Sequence, residues 1–245
     1  MKIFALIPAR YAASRFPGKL MKILGDKPVI LHTYLNTVAT GLFDDVIVVT
    51  DSDEIYSVIN EAGGKAIMSI KEHASGTDRI AEIAENIDAD VFINVQGDEP
   101  FVYKNALNSL CKIFLEPSTV VGSLMHRIEK KDADNPNAVK VVTDLEGNAL
   151  YFSRSIIPYL RDEDVSVTYY KHIGVYGYRK ETLLYISKLE PTKLEIAEKL
   201  EQLRIIENGI KIKLAEIKEW SVAIDTPEDF ERAKKIFELS TNTSA

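Results

Sequence analysis

The fold is decided by the opening stretch Ile3-Phe-Ala-Leu-Ile-Pro-Ala-Arg-Tyr-Ala-Ala-Ser-Arg-Phe-Pro-Gly-Lys19. Its apolar half predicts a buried strand that ends at Pro8, because proline has no N–H to give to a strand ladder. The rest carries three cations, Arg10, Arg15 and Lys19, among small residues. Small residues let backbone N–H groups approach a ligand, and spaced cations neutralise several phosphate oxygens at once. Since the carboxyl end of a parallel strand is where open α/β sheets bind ligands, we predict a triphosphate-binding loop.

The alternative interpretation of these cations is ordinary solvated surface charge, which is the usual outcome for one isolated cation. Here, however, all of them lie in one loop directly after a core strand. The chain also has no G-x4-G-K-[ST] motif and no G-x-G-x-x-G motif. The stretch therefore favours a nucleotide binder that is neither a P-loop NTPase nor a dinucleotide-binding Rossmann domain.

Composition limits the class of protein. The chain has 245 residues, of which 46% are hydrophobic, and a formal net charge of −7. This balance argues against a general role in binding nucleic acid or an anionic membrane surface, and it fits a small anionic ligand held by a local basic loop. The single cysteine, Cys111, lies in an apolar stretch and is expected to be an inert core thiol. With no disulfide within the chain, no signal peptide and no membrane-length apolar run, we expect a cytoplasmic protein.

Apolar strands alternate with amphipathic helices through the first half of the chain. Strands are predicted at 46–50, 65–68 and 91–95, with helices at about 29–40, after Ser52, and at 76–86. This alternation predicts an α/β fold with a doubly wound, mostly parallel sheet. The later chain is less regular, and we expect residues 1–245 to form one domain with a small mixed β insert at about 120–180. Beyond the insert the pattern predicts a helix at 194–208, a strand at 222–224 and a terminal helix at 226–239.

Two aspartates follow apolar strands and are candidate ligands for Mg²⁺. Asp98 lies in Val95-Gln-Gly-Asp-Glu-Pro100, and Asp225 precedes a helix that begins near Pro227. Mg²⁺ is commonly held by one or two carboxylates together with substrate phosphates. Each aspartate also has an ordinary interpretation, as a turn residue or as the N-cap of the next helix. Because Thr226 can serve as that cap, Asp225 remains available as a second metal ligand.

The segment His73-Ala-Ser-Gly-Thr-Asp-Arg79 is a small polar loop that opens a helix. Backbone amides at a helix N-terminus, together with Ser and Thr hydroxyls, can read a base or a ribose. The same residues would also make an ordinary capping sequence, so this motif leaves both interpretations open.

The motifs taken together resemble one known family. The ordered set comprises the Ile7–Lys19 and His73–Arg79 stretches, Asn94-Val-Gln-Gly-Asp-Glu-Pro100, Asn135-Pro-Asn-Ala-Val-Lys-Val-Val142, Ala149-Leu-Tyr-Phe-Ser-Arg154, Lys171-His-Ile-Gly-Val-Tyr-Gly-Tyr178, Leu200-Glu-Gln-Leu-Arg204 and Ile224-Asp-Thr-Pro-Glu-Asp229. In this order the chain resembles the 3-deoxy-manno-octulosonate cytidylyltransferases, or CMP-KDO synthetases, over nearly its whole length. One departure is Leu20, where the family usually has proline, and this should affect loop rigidity more than chemistry.

The resemblance implies a nucleotide-diphospho-sugar transferase-like fold and an activity. CTP and the eight-carbon acid sugar KDO would give CMP-KDO and pyrophosphate for lipopolysaccharide biosynthesis, with Mg²⁺ as cofactor. The resemblance also implies a homodimer, with the β insert as the expected contact and sugar-binding region. Asp98 and Asp225 would bind the metal, and the residues implied as catalytic are Lys19, Asp98, Asp225 and Arg15.

The same resemblance implies two binding sets. Those that would seat the nucleotide are Arg10, Ser14, Arg15, Lys19, Ser75, Arg79 and Gln96. Those that would form the sugar site, with Gln96 contributing to both, are Gln96, Arg154, His172, Tyr176, Glu201 and Gln202. A cation with several donors and acceptors suits an acid sugar. On residue type alone, His172 would more often be structural, and the predicted mid-helix positions of Glu201 and Gln202 would be solvated surface.

Two alternatives to this activity remain open on the sequence. One is a cytidylyltransferase for a related acid sugar, such as a sialic acid or the 8-amino analogue of KDO, which substrate comparison would separate. The other is a non-catalytic nucleotide-binding module, against which the intact cations and aspartates argue.

Overall fold

The computed structural model describes residues 1–11, 16–71, 73, 75–162, 164–220 and 223–242. The chain divides into two compact units, one made of residues 1–104 and 221–245 and the other of residues 105–220. The sequence expectation of one domain with an insert at about 120–180 stays a prediction. In the structure that stretch forms part of the second unit, which spans residues 105–220.

The first unit is built around a parallel sheet of four strands in the order β6-β1-β4-β5. The strands are β1 (Ile3–Ala9), β4 (Asp45–Thr50), β5 (Ala66–Met68) and β6 (Val91–Asn94), with a short hairpin of β2 (Ile23–Leu24) and β3 (Lys27–Pro28). The helices are α1 (Val29–Ala39), α2 (Asp53–Glu61), α3 (Gly76–Ala84) and α9 (Pro227–Asn242). The predicted alternation of strands and helices is confirmed here.

The centre of this sheet is buried because its strands are apolar on both faces. Leu6 and Ile7 of β1, Val48 of β4, and Phe92 and Ile93 of β6 have no solvent exposure. Such continuous apolar runs are typical of parallel strands that are covered on both faces. In register, Leu6 pairs with Ile47 on one side and Asn94 on the other, so β1 and β6 end near each other at the carboxyl edge.

The second unit contains a mixed sheet. β7 (Val121–Ile128) pairs parallel with β11 (Ile212–Ile217) and antiparallel with β10 (Tyr169–Arg179). The hairpin of β8 (Lys140–Thr143) and β9 (Ala149–Ser153) joins through β8 to β10. The helices are α4 (Lys104–Ile113), α5 (Lys130–Ala133), α6 (Lys180–Ile186), α7 (Lys193–Glu198) and α8 (Gln202–Glu207). Cys111 is buried in α4, and burial raises the pKa of its thiol to about 12, as expected of an inert core cysteine.

Some predicted element boundaries are wrong. The first strand does not end at Pro8 but continues to Ala9, in register with Thr50 of β4. Beyond Leu6 this strand pairs with β4 and no longer with β6, so a residue without an N–H can stand in it.

The helix predicted at 194–208 is two short helices, because Lys199 adopts a left-handed conformation with φ 54°. The carbonyls of Glu198 and Lys199 accept hydrogen bonds from the Arg154 guanidinium, so a distant side chain binds this helix end. The strand predicted at 222–224 is also absent from its described residues, Ala223 and Ile224. There Ile224 donates its N–H to the carbonyl of Asp98, a loop contact.

Candidate functional site

A cleft of about 250 Å³ opens in the first unit where β1 and β6 end. It is also lined by the start of α3 and by the residue that precedes Thr226. The sequence-predicted residues found in its lining are Arg10, Lys19, Ser75, Arg79, Gln96, Asp98 and Asp225. The structure therefore brings together most of the predicted nucleotide and metal set. Ser14 and Arg15 lie outside the described residues.

Lys19 occupies the centre of the charged groups in this cleft. Its Nζ donates to Oδ2 of Asp98 at 2.5 Å and to Oδ1 of Asp225 at 3.0 Å. The Lys19 side chain is 13% exposed, against 19% for Asp98 and 38% for Asp225. Burial by itself would lower the pKa of Lys19, but the two carboxylates raise it above its usual value. The lysine is therefore a cation that bridges the two predicted metal ligands.

Local turns position Lys19 and Asp98. Gly18 adopts a left-handed conformation (φ 67°) before the single 3-10 turn at Lys19–Met21, a geometry that glycine accepts without strain. After β6, Gly97 lies against β1: a Cβ there would lie 3.0 Å from the carbonyl oxygen of Pro8. A larger residue at 97 would thus press on the backbone beside the cleft.

The hydrogen bonds at the start of α9 explain why the Asp225 side chain does not serve as the N-cap. The Thr226 hydroxyl accepts from the N–H of Asp229 at 3.2 Å, and the Asp229 carboxylate accepts from the N–H of Thr226 at 3.0 Å. This is a reciprocal capping box. The capping role predicted for Thr226 is confirmed, and the Asp225 carboxylate contacts Lys19 instead.

The loop before α3 combines capping with the cleft lining. Ser75 caps α3 by accepting from the N–H of Asp78 at 3.1 Å, and it also lines the cleft. Arg79 is buried, and its guanidinium donates to Asp51 Oδ2 at 2.6 Å and to Ser69 Oγ at 2.5 Å. The structure thus uses Arg79 to fasten α3 beside the ends of β4 and β5. Its predicted contact with a nucleotide stays a prediction.

His73 opens the predicted polar loop, and it is a cleft residue to which the sequence assigned no role of its own. It lines the cleft, and its Nε2 lies 2.7 Å from Oε2 of Glu82 on α3. The other oxygen of Glu82 accepts from the N–H of Ile70 at 3.2 Å. Burial opposes ionisation of Glu82, but the bonds from His73 and Ile70 lower its pKa below the usual value. The nine-residue spacing between His73 and Glu82 offers no local signal, so only the folded chain reveals the pair.

The second unit brings together most of the predicted sugar-binding residues. His172 lies between Ser123, whose Oγ is 3.0 Å from Nε2, and Gln202, whose Nε2 is 3.4 Å from Nδ1. An amide donating to Nδ1 leaves the proton on Nε2, which then donates to Ser123. Burial lowers the pKa of His172 to about 3, so the ring is neutral. Its ring lies 5.4 Å from that of Tyr176.

Tyr176 and Glu201 complete this cluster. Burial raises the pKa of Tyr176 well above its usual value, and the nearby charge of Glu201 acts in the same direction. The expectation that Glu201 and Gln202 lie mid-helix is wrong, because Glu201 is the N-cap residue of α8 and Gln202 is its first residue. Gln202 is buried and not a solvated surface residue.

Arg154 is held by main-chain carbonyls. Its guanidinium donates to the carbonyls of Pro136 at 3.1 Å, Glu198 at 2.8 Å and Lys199 at 3.4 Å. Its own carbonyl accepts from Nζ of the fully buried Lys140 at 2.6 Å. The described structure therefore fixes Arg154 firmly between the β9 end and the end of α7.

A metal ion bound to the Asp98–Asp225 pair would need further coordinating oxygens from a bound substrate or from water. Across residues 1–11, 16–71, 73, 75–162, 164–220 and 223–242, no three His, Cys, Asp or Glu side chains are grouped so as to hold a metal ion. Asp98 and Asp225 nevertheless already share one cation, the Lys19 ammonium. Such a pair suits Mg²⁺, whose other ligands are usually water and substrate phosphate oxygens.

Comparison with known proteins shows the family to which this chain belongs. Residues 4–212 match a protein family described as cytidylyltransferase. A 3-deoxy-manno-octulosonate cytidylyltransferase of Flavobacterium johnsoniae is 54% identical over 238 residues, covering 96% of this chain and 98% of that protein. The enzyme of the same description from Christiangramia forsetii is 53% identical, covering 96% of each chain. No helix in the described ranges is both long and apolar enough to cross a membrane.

Solved structures show the same family relationship and the fold. The structure of a CMP:2-keto-3-deoxy-manno-octonic acid synthetase complexed with CTP superimposes with a TM-score of 0.94 at 38% identity, covering 98% of this chain and all of that one. A putative glucose-1-phosphate thymidylyltransferase from Bacillus anthracis, at 16% identity and a TM-score of 0.66, shares the fold alone. The predicted α/β nucleotide-diphospho-sugar transferase-like fold is confirmed, and the chain belongs to the 3-deoxy-manno-octulosonate cytidylyltransferase family of nucleotidyltransferases.

Proposed function

We propose that the protein transfers the cytidylyl group of CTP to 3-deoxy-D-manno-octulosonate, giving CMP-KDO and pyrophosphate. The observation that carries this proposal is the Lys19–Asp98–Asp225 cluster, set in a cleft at the carboxyl ends of parallel strands. A cation beside two carboxylates is suited to the multiple charges of a nucleoside triphosphate and its metal. The near full-length similarity to enzymes named for this reaction supports the choice of sugar.

The residues of the first unit would act on the triphosphate. Arg10 and Lys19 neutralise its oxygens, while Ser75 stands at the N-terminus of α3, where backbone N–H groups and the helix dipole favour an anion. Asp98 and Asp225 would hold Mg²⁺, which supplies charge neutralisation on the phosphate oxygens. The oxygen of the sugar's anomeric hydroxyl attacks the α-phosphorus and its proton passes to solvent. The bond from the α-phosphorus to the bridging oxygen breaks, and pyrophosphate leaves from the opposite side. No side chain forms a covalent intermediate, so positioning and electrostatics supply the acceleration.

The residues of the second unit would recognise the sugar. Arg154 supplies a cation for the carboxylate, and Tyr176, Glu201 and Gln202 supply donors and acceptors for hydroxyls. His172 is neutral, and both of its ring nitrogens already have protein partners, so it supports Gln202 more than it contacts sugar. Gln96, in the lining of the cleft, is proposed to contact nucleotide and sugar.

The wider setting is also a proposal. We assign the protein to the cytoplasm, where its unpaired cysteine would stay reduced, and to lipopolysaccharide biosynthesis, which consumes CMP-KDO. We further propose a homodimer formed through residues 120–180. Exposed apolar side chains in that stretch support it, among them Leu145, Leu150, Tyr159 and Val165. Sedimentation velocity would test the dimer, and a monomer at micromolar concentration would reject it.

The reaction is tested by pyrophosphate release from the purified protein with Mg²⁺, KDO and each nucleoside triphosphate in turn. We expect release only when CTP and KDO are present together. Release with CTP and a sialic acid or the 8-amino analogue, but not KDO, would move the activity to another acid sugar. CTP binding without release for any sugar would favour a non-catalytic module.

A further inference from the structure

The position of Lys19 raises the question of how a metal could reach the same carboxylates. The Lys19 ammonium contacts one oxygen of Asp98 and one of Asp225, and its side chain is 13% exposed. Both aspartates lie in the cleft lining. A divalent cation that used these oxygens would lie against the ammonium, and like charges at that distance repel strongly in a partly buried site. Lys19 and the metal therefore compete for one pair of ligands.

The carboxylate pair is a poor metal site as long as Lys19 bridges it. In the described chain no third acidic, histidine or cysteine side chain joins the pair. One ammonium also cancels half of the pair's negative charge. A metal would thus meet a reduced charge and few protein ligands, and Mg²⁺ gives up its water reluctantly. In the free protein, the Asp98–Asp225 pair therefore favours the Lys19 ammonium over a metal ion.

A triphosphate would reverse this balance. It offers new acceptor oxygens to the ammonium, and the long flexible lysine side chain can follow them over a few ångströms. The same cleft is lined by Arg10 and by Ser75 at the start of α3, so a triphosphate bound there would lie beside Lys19. A ligand shifts an equilibrium only through its different affinity for the two states, and here the difference is the ammonium–phosphate contact.

We propose that Lys19 is an exchangeable counter-ion, which occupies the Asp98–Asp225 pair in the free enzyme and moves to the triphosphate when CTP binds. This rests on the proposed function for the identity of the nucleotide. Its consequence is that the free enzyme binds divalent metal weakly and that metal and CTP bind cooperatively. The lysine thereby keeps the carboxylates paired in the absence of substrate and frees them on binding.

The test measures Mn²⁺ affinity of the free protein, without nucleotide or sugar, by the loss of the free-ion signal in electron paramagnetic resonance. We expect Lys19→Gln and Lys19→Met to bind Mn²⁺ about tenfold more tightly than the unaltered chain, because the competing charge is gone. Lys19→Arg keeps the charge and should bind as weakly as the unaltered chain. Lys22→Gln is the matched control, because it removes the same charge from an exposed lysine nearby in the chain. The ammonium of Lys22 faces an aromatic ring, with Nζ 5.8 Å from the centre of Phe16.

The site of any gain is checked by adding Asp98→Asn to Lys19→Gln, which should remove the gained affinity. Thermal melting of each variant confirms that it is folded. Equal or weaker Mn²⁺ binding by both Lys19→Gln and Lys19→Met would overturn the proposal, as would a gain that survives Asp98→Asn. These measurements involve no turnover, so an enzyme that proved inactive with CTP and KDO would refute the proposed function and leave this result standing.

Discussion

The backbone N–H of Ile224 donates a hydrogen bond to the carbonyl oxygen of Asp98, at 3.0 Å. This bond joins the residue before Asp225 to the residue that follows Gly97, although the two segments are far apart in the chain. The carboxylates of Asp98 and Asp225 both accept from Nζ of Lys19. A loop contact, and not the predicted strand at 222–224, therefore joins these two segments beside the charged cluster.

The carboxylate of Asp98 should be needed for the reaction but not for the fold. Asp98→Asn is expected to lower kcat about a thousandfold, because it removes a charge that would hold the metal in the substrate complex. Pyrophosphate release measures the rate, and thermal melting shows whether the variant is folded. Asp26→Asn, at an exposed residue paired with Lys27, is the control and should retain full activity. Near-normal turnover by Asp98→Asn would remove its assignment as a metal ligand.

Glu82 should act on the nucleotide through His73. Glu82→Gln keeps the size of the side chain but removes the charge that orients the imidazole, which lines the cleft. We expect the KM for CTP to rise about tenfold with a smaller change in kcat, since the loss is one of orientation in binding. Glu61→Gln, an exposed residue at the end of α2, is the matched control. An unchanged KM for CTP would show that the pair is purely structural.

The His73–Glu82 pair also predicts how the stability of the fold depends on pH. The pKa of Glu82 is lowered in the fold, so its contribution to stability is present above the usual carboxyl pKa and is lost as the pH falls through the lowered value. We therefore expect the free energy of unfolding, measured with denaturant at several pH values, to fall less in acid for Glu82→Gln than for the unaltered chain. Identical acid profiles would contradict the shift.

His172 should make the fold sensitive to mild acid. Its pKa is about 3 in the fold, against a usual value of 6.5, because burial disfavours the charged ring. The unfolded chain binds this proton at pH values where the fold does not, so the free energy of unfolding should fall as the pH drops below about 6.5. For one proton the slope is about 1.4 kcal/mol per pH unit. His172→Gln should lose that slope, and an equal slope in both proteins would contradict a neutral buried ring.

Lys140 should support the sugar site without touching sugar. Its ammonium is fully buried and donates to the carbonyls of Asn135 at 2.9 Å and Arg154 at 2.6 Å. Lys140→Met leaves both carbonyls without this donor, which should cost about 1–3 kcal/mol of stability. We expect the KM for KDO to rise while the KM for CTP stays near normal. Lys131→Met, at an exposed lysine paired with Glu129, should change neither constant. A raised KM for CTP instead would place Lys140 in another role.

The sequence by itself determined the elements whose causes are local. The apolar run of β1, the glycines of the turns and the capping residues Thr226 and Asp229 specify their own structure, because burial of short apolar segments and capping bonds depend on near neighbours. The ordered motifs also determined the family, and with it the residues expected at the site. The approximate positions of β4, β5 and β6 follow from the same local signals.

Tertiary structure alone decided the relations across long stretches of chain. Lys19 bridges Asp98 and Asp225, the latter 206 positions away, and no local pattern encodes that meeting. The helix breaks at Lys199, where the guanidinium of Arg154, 45 positions earlier, donates hydrogen bonds to the carbonyls of Glu198 and Lys199. His172 is neutral because the fold surrounds it, not because of its neighbours in sequence. Hydrogen bonds and desolvation act between groups that only folding brings together, so these features are absent from the sequence pattern.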